Sequence, residues 1–240
     1  MTIDISVIIP ARNEEKNLKK IIPAIFTRYK QYLTAVIIVD DNSTDKTYHV
    51  AATLQKKYPK IKVYRRAHPS GVGLAIRDGI TQLSPKTKYV LFMDCDFLSN
   101  VPDIAKMIGK IKDAEGVVGS RFIEKDSLTN YPFPKLIANR LYHLLAQLLL
   151  GIKQSDLTNN FKLYRHELVD KITPFLTSTD FAINAEIGYY PIIMGAKIAE
   201  VPVHWQERNK NMGLSKFKIL RVGPSYLLVL FRLVRMKFFN

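Results

Sequence analysis

With one cysteine among 240 residues, the chain cannot form an intrachain disulfide, so its fold rests on burial alone and suits a reducing compartment. No apolar run approaches the roughly 20 residues that a helix needs to cross a bilayer. The most apolar stretch near the C-terminus, residues 226–231, is hemmed in by Arg221, Pro224, Arg232 and Arg235. The N-terminal residues lack the basic stretch, apolar stretch and cleavage site of an export signal, which sets the expected location on the cytoplasmic side of the membrane. Internal repeats and low-complexity segments are also missing, leaving one main domain. Acidic residues stop early: none follows Glu207, whereas Arg208, Lys210, Lys216, Lys218, Arg221, Arg232, Arg235 and Lys237 all do.

What is present fits a globular enzyme-sized core, with 47% hydrophobic residues. A formal charge of +15 calls for a polyanionic partner, and nucleic acid, anionic lipid headgroups and phosphorylated small molecules all qualify. Short β-branched or apolar runs at residues 5–9, 35–39, 61–64, 89–93 and 117–119 read as buried strands. Helical spacing fills the intervals at 15–30, 44–57, 73–83 and 102–111. This alternation predicts an α/β fold with a mostly parallel sheet, in which ligands bind where the strands end.

After residue 120 the rhythm changes to a Pro-containing loop over 122–134 and a helix over 135–150, with Gly151 as its stop. That helix is apolar at Leu136, Ile137, Leu141, Leu144, Leu145, Leu148 and Leu149, leaving Asn139, Arg140, His143 and Gln147 as a narrow polar stripe. A further helix is expected from about residue 179 to before Gly195, and a last strand over 197–203. The tail, 216–239, interleaves aromatic and aliphatic residues with Lys and Arg. It either lies in the headgroup region of a membrane or packs on the domain with its charges in solvent.

Acids gather at the ends of two strands: Asp40 and Asp41 within Val39-Asp40-Asp41-Asn42-Ser43-Thr44-Asp45, and Asp94 and Asp96 within Met93-Asp94-Cys95-Asp96. Carboxylates one residue apart repel each other unless a cation sits between them, although an isolated pair of this kind also serves as an acidic turn capping the next helix. Here the pair is accompanied by Pro10-Ala11-Arg12-Asn13-Glu14 at the end of the first strand, and by Gly119-Ser120-Arg121-Phe122 later. In this order the segments resemble the family 2 inverting glycosyltransferases of GT-A fold, and more narrowly the dolichol-phosphate or polyprenyl-phosphate mannosyltransferases. The likeness extends through Ser155-Asp156-Leu157-Thr158-Asn159-Asn160-Phe161-Lys162-Leu163-Tyr164-Arg165, where those enzymes usually show Ser-Gly before the Phe.

The resemblance implies a GT-A domain over residues 1–203, then a basic acceptor loop and amphipathic membrane-associating tail over 204–240. It implies that Pro10, Arg12, Glu14, Asp40 and Asp41 surround the nucleobase and ribose of a nucleotide-sugar donor. Asp94, Cys95 and Asp96 are then expected to line the donor, with Asp94 and Asp96 holding Mg²⁺ or Mn²⁺ against its diphosphate. Arg77 either reaches the donor or is a solvated helix residue. Arg121, Arg140, Arg208, Ser215 and Lys216 are expected around the monophosphate of a polyprenyl or dolichyl acceptor, with Arg121 joining Asp94 and Asp96 in the catalytic set. The acceptor phosphate needs no strong base, because its second pKa is near 6; Asp156 either orients a basic group or makes a structural hydrogen bond.

Mannose from GDP-mannose is favoured over glucose from UDP-glucose. Nucleic acid is not expected as partner, since acids at two strand ends would repel its phosphates. Many relatives carry transmembrane helices beyond this point, so a membrane-embedded partner protein is a further expectation. Departures from the family pattern include Leu98, which cannot ligate a metal where a polar residue is usual, and a loop over 208–216 two residues longer than its usual form. Removal of residues 217–240 is expected to leave donor binding intact while weakening membrane association.

Overall fold

Period-2 alternation sorts the strand residues onto two faces, and the helices cover both. In the computed structural model, which describes residues 3–206 and 219–239, seven strands form one sheet in the order β3-β2-β1-β4-β7-β5-β8. These are β1 (Ile5–Ala11), β2 (Leu33–Asp40), β3 (Ile61–Arg65), β4 (Tyr89–Phe92), β5 (Gly116–Ser120), β7 (Lys162–Arg165) and β8 (Ile198–Pro202). On one face Val7, Ile9, Val36, Ile38 and Leu91 meet Leu18, Ile21, Ile22 and Ile25 of α1 (Glu15–Tyr29), Val50 and Ala51 of α2 (Thr47–Lys57), and Ile104 and Met107 of α4 (Ile104–Lys110). On the other, Ile8, Ile37, Val39, Val90 and Phe92 meet α3 (Val72–Thr81), α5 (Phe133–Leu150), α6 (His166–Ile172) and α7 (Ile183–Ile193). A separate two-stranded ribbon joins β6 (Leu128–Thr129) to β9 (Trp205–Gln206).

Six of the seven strands run parallel, and β7 alone is antiparallel to its neighbours β4 and β5. Its direction matters for the site. The parallel strands end at the carboxyl edge, while β7 starts there, so the residues leading into β7 are delivered among the strand-end acids. Neither β7 nor α6 is signalled by the periodicity, because a four-residue strand carrying Lys162 has no apolar run of its own. The helix expected over 44–57 begins only at Thr47, its first residues being used to bond the preceding loop. The helix expected from about 179 begins at Ile183.

α5 has the expected length and ends at Gly151, whose φ of 63° is the left-handed conformation that glycine adopts without strain. Its orientation reverses the ordinary pattern. Tyr142, His143, Ala146 and Leu150 are buried, whereas Phe133, Ile137, Leu141, Leu144, Leu148 and Leu149 are exposed, Leu148 at 73%. The polar stripe thus faces inward, against the chain that connects α5 to β7.

The tail forms α8 (Ile219–Phe239), and its inner face belongs to the core: Val222, Val229, Leu230 and Leu233 are buried. Ser225 Oγ donates to Asp180 (2.7 Å), Tyr226 to the Phe181 carbonyl (2.9 Å), and Lys237 to the Leu150 carbonyl at the end of α5 (2.6 Å). Arg232 reaches Thr177 Oγ1 (2.5 Å) and the fully buried carboxylate of Glu186 (3.3 Å). α8 therefore both packs on the domain and turns Leu220, Leu227, Leu228, Phe231, Phe238 and Phe239 outward. Its removal should unfold or strongly destabilise the protein rather than leave donor binding intact. Leu233→Ala, which opens a cavity in the same contact, is expected to cost about 2–5 kcal/mol in a urea unfolding titration.

Candidate active site at the carboxyl edge of the sheet

The loops after β1 and β2 are stitched into one floor. Asn13 and Asn42 both take left-handed backbone (φ 55° and 56°), which asparagine tolerates better than most side chains. The Asn13 amide donates to Ser43 Oγ (2.9 Å), and its side-chain oxygen accepts the Thr44 amide (2.8 Å). The Glu14 amide donates to Thr47 Oγ1 (2.7 Å), while the Glu14 carboxylate accepts from Asn17 (2.5 Å). Pro10 is the next-to-last residue of β1 and Arg12 is exposed just beyond the strand.

The adjacent acids Asp40 and Asp41 have different duties. Asp41 is committed to the scaffold: Arg66 donates to it at 2.6 Å and the Gly71 amide, at the head of α3, at 2.8 Å. Arg66 is held in turn by Asp78 (2.5 Å). Asp40 is completely buried, and neither of its oxygens accepts a hydrogen bond from the described residues. Arg65 stands 3.5 Å away and lies over the Tyr48 ring. A buried carboxylate with its acceptor capacity intact is the natural partner of a ligand N–H or hydroxyl.

Asp94 and Asp96 follow β4 directly and are half-buried. Cys95 between them, expected at the donor, instead turns its side chain into the core, where its sulfur approaches the Pro10 carbonyl (3.5 Å), so it fixes the turn from beneath. Asp94 accepts from Asn160 (2.7 Å), a residue absent from the expected set. Hard carboxylate oxygens at this spacing fit a Mg²⁺ or Mn²⁺ that also takes diphosphate oxygens and water. Among the described residues no cluster of three or more His, Cys, Asp or Glu surrounds them. Leu98 is turned outward.

The second half of the site is a buried ionic network. Arg121 directly follows β5 and binds Asp156 through its fork, Nε to Oδ2 at 2.6 Å and Nη2 to Oδ1 at 2.9 Å, with its own amide adding a third bond at 3.1 Å. Burial alone would raise the Asp156 pKa, but the charge and hydrogen bonds of Arg121 overcome it and hold the carboxyl at about 2. The chain around Asp156 is fixed by side chains from three elements. Glu200 of β8 accepts the Ser155 amide (2.9 Å) and the Asp156 amide (3.2 Å). His143 of α5 accepts the Leu157 amide at Nε2 (2.9 Å) and meets the Asn139 carbonyl at Nδ1 (2.9 Å), an arrangement that requires a neutral ring; burial accordingly lowers its pKa. Lys162, fully buried, donates to the Asn159 carbonyl, and burial pushes its pKa down to about 7.

Of the expected acceptor residues, the structure brings both Arg121 and Arg140 against the ring of Phe122. Arg140 lies over that ring (4.5 Å) and donates to the Ser155 carbonyl (3.0 Å), while Arg121 is 5.6 Å from it. Arg208, Ser215 and Lys216 lie outside the described residues. Arg77 is turned to the Leu176 and Thr177 carbonyls (3.3 and 3.5 Å), joining α3 to the chain before α7. Asn160, Lys162, His143 and Glu200 belong to this network without belonging to the expected set. The one signal for Asn160 was the Asn-Asn pair standing where Ser-Gly is usual.

Asp156 sets an acid limit on stability. Its folded pKa lies below the unfolded value of 3.8, so its contribution is present above pH 3.8 and lost as pH falls through about 2. Calorimetric melting between pH 5 and 2 should show this loss. Asp156→Asn, which leaves the Arg121 guanidinium buried without its counter-charge, is expected to cost about 3–5 kcal/mol at neutral pH.

A family model described as glycosyl transferase family 2 matches residues 6–173. The polyprenol monophosphomannose synthase of Mycolicibacterium smegmatis is 27% identical over 214 residues, 88% of this chain and 79% of that protein. The dolichol-phosphate mannosyltransferase of Pyrococcus furiosus is 30% identical over 228 residues, 90% of this chain, which spans 62% of that longer protein. Among solved structures, glucosyl-3-phosphoglycerate synthase from Mycobacterium tuberculosis in complex with phosphoglyceric acid superposes with a TM-score of 0.72 at 16% identity, covering 96% of this chain and 80% of that one. The same enzyme crystallised with Mn²⁺, UDP-glucose and phosphoglyceric acid gives a TM-score of 0.71 at 17% identity, covering 96% and 79%. These likenesses fix the fold as GT-A, and with the family model matching most of its length, the chain belongs to glycosyl transferase family 2 and is a glycosyltransferase.

Proposed function

We propose that this glycosyltransferase moves a hexose, mannose in preference to glucose, from a nucleotide sugar to a polyprenyl or dolichyl monophosphate, with inversion. GDP-mannose is the favoured donor. The observation that carries the acceptor assignment is the reversed α5. One helix places Arg140 beside Arg121 on its inner side and presents Ile137, Leu141, Leu144 and Leu148 to the outside. A phosphate held by these guanidinium groups thus has an apolar surface beside it for a lipid chain. The names of the two relatives support a polyprenyl-phosphate acceptor and mannose.

On this reading Asp40 accepts hydrogen bonds from the nucleoside, while Arg12 and Glu14 border it. Asp94 and Asp96 would hold the divalent cation, which when bound offsets charge on the departing diphosphate. Arg121 and Arg140 orient the acceptor phosphate, already anionic, in line with the anomeric carbon. Asp156 is saturated by Arg121 and has too low a pKa to act as a base, so it is a positioning residue. A radiolabel assay that offers GDP-mannose and UDP-glucose with dolichyl or undecaprenyl phosphate tests this. Lipid-extractable label from GDP-mannose is the expected result; none from either donor overturns the acceptor assignment. Asp96→Ala should lose most turnover.

We also propose that α5 and α8 together rest on an anionic membrane at its cytoplasmic face. No described helix is long and apolar enough to cross a membrane. On α8 the outward apolar residues are interspersed with Arg221, Arg235 and Lys237, the pattern of an interfacial helix, and α5 adds an exposed apolar face beside it. Replacing Leu141, Leu148 and Phe231 by serine should weaken co-sedimentation with anionic vesicles at least tenfold, since each buried apolar side chain contributes about 1.5–3 kcal/mol. The melting temperature should hold, because all three are exposed.

A further inference from the structure

The cation site has more protein in it than the acid pair. In the antiparallel register of β4 and β7, Phe92 stands opposite Lys162; continuing that register past the strand end sets Asn160 opposite Asp94. The two side chains meet there, Asn160 Nδ2 donating to Asp94 Oδ1 at 2.7 Å. Since a carboxylate accepts only, this contact fixes which end of the amide is nitrogen. The amide oxygen is then defined as well. It is buried, in a residue only 1% exposed, and receives no hydrogen bond from the described residues. A buried amide oxygen without a donor is a costly arrangement unless something outside the chain completes it.

The backbone at this point is held firmly. Lys162 donates to the Asn159 carbonyl, and Asn159 Nδ2 to the Gly119 carbonyl at 2.7 Å, so the peptide that precedes Asn160 is tied on both sides. Asn160 is thus presented rather than free to swing. A neutral oxygen next to Asp94 cannot pair with another carboxylate, but it matches the hard oxygen sets preferred by Mg²⁺ and Mn²⁺.

We propose that Asn160 is the third protein group of the divalent-cation site, its nitrogen orienting Asp94 and its oxygen entering the cation's coordination shell. The assignment rests on the metal reading of Asp94 and Asp96 given above. It supplies what Leu98 cannot, from the opposite strand. It also gives the departure from the Ser-Gly pattern a chemical content, since glycine at residue 160 has no side chain to offer.

The test is Mn²⁺ binding, followed by the EPR signal of free Mn²⁺ in the presence of saturating GDP or UDP, on the full chain. Asn160→Ala should weaken Mn²⁺ binding about ten- to hundredfold, as expected when a group supporting a metal ligand is lost. Nucleotide affinity without metal should stay as in the parent, and each variant's Mn²⁺-induced rise in melting temperature is read against its own metal-free value. Asn160→Asp, which restores an oxygen ligand, should recover Mn²⁺ binding and show a larger Mn²⁺-induced rise in melting temperature than Asn160→Ala. If Asn160→Ala fails to fold, Asn160→Ser takes its place in the same titration. A folded Asn160→Ala or Asn160→Ser protein that binds Mn²⁺ within twofold of the parent overturns the role of Asn160 while leaving Asp94 and Asp96 in place. A parent protein that binds no Mn²⁺ with either nucleotide overturns the metal reading itself, and this inference with it.

Discussion

The pairing of Asp156 with Arg121, two charges with almost no water around them, is the constraint on which the rest of the site depends. A buried pair of this kind contributes little net stability, because desolvation offsets most of the attraction, but neither partner tolerates the loss of the other. Its consequence is geometric. Arg121 directly follows β5, Asp156 lies in the chain between α5 and β7, and their fork-to-fork contact fixes that chain against the sheet. Glu200 and His143 then accept the amides on either side of it. The polar stripe of α5 faces inward for this reason. It has a buried backbone to satisfy, and an unsatisfied amide there would cost more than exposed leucines do.

That reversal marks the limit of what the sequence conveys. The spacing of apolar residues gave α5 its length and its stop at Gly151, but periodicity identifies a polar stripe without saying which side is water. Deciding that requires the Leu157 amide and the Gln154 and Ser155 carbonyls, which are close in space and not in pattern. The parallel strands and their acidic ends were legible for the opposite reason: alternation and strand-end position are local, and a sheet edge collects them automatically. Asp40 and Asp41 look equivalent as a dipeptide. Only Arg66 and the Gly71 amide, brought by the loop after β3, separate the committed carboxylate from the available one. β7 was hidden because its four residues include Lys162, a side chain that reads as exposed and is fully buried.

The tail shows the same interplay in another form. Its interleaved charges and aromatics read either as a membrane-lying helix or as a packed one, and α8 satisfies both descriptions on different faces. Arg232 turns in to Glu186, while Leu220, Leu227 and Phe231 turn out. On the proposed function, a surface that touches lipid is therefore continuous with the core that holds the site, and α5 and α8 are joined at the Lys237 contact with Leu150. Contact with a membrane then bears directly on the helix that carries Arg140.

A glycosyl transfer needs donor and acceptor oriented to a fraction of an ångström, and flexible side chains alone hold that poorly. Here one short segment serves both halves. On the proposed function, Asp156 positions Arg121 on the acceptor side, and Asn160, four residues on, positions Asp94 on the donor side. Between them Asn159 is bonded to the Gly119 carbonyl and accepts Lys162 at its own carbonyl, so the segment cannot shift at one end without disturbing the other. The distance between the two half-sites is set by backbone, inside the core, and the antiparallel entry of β7 is what brings that backbone to the edge where the parallel strands end.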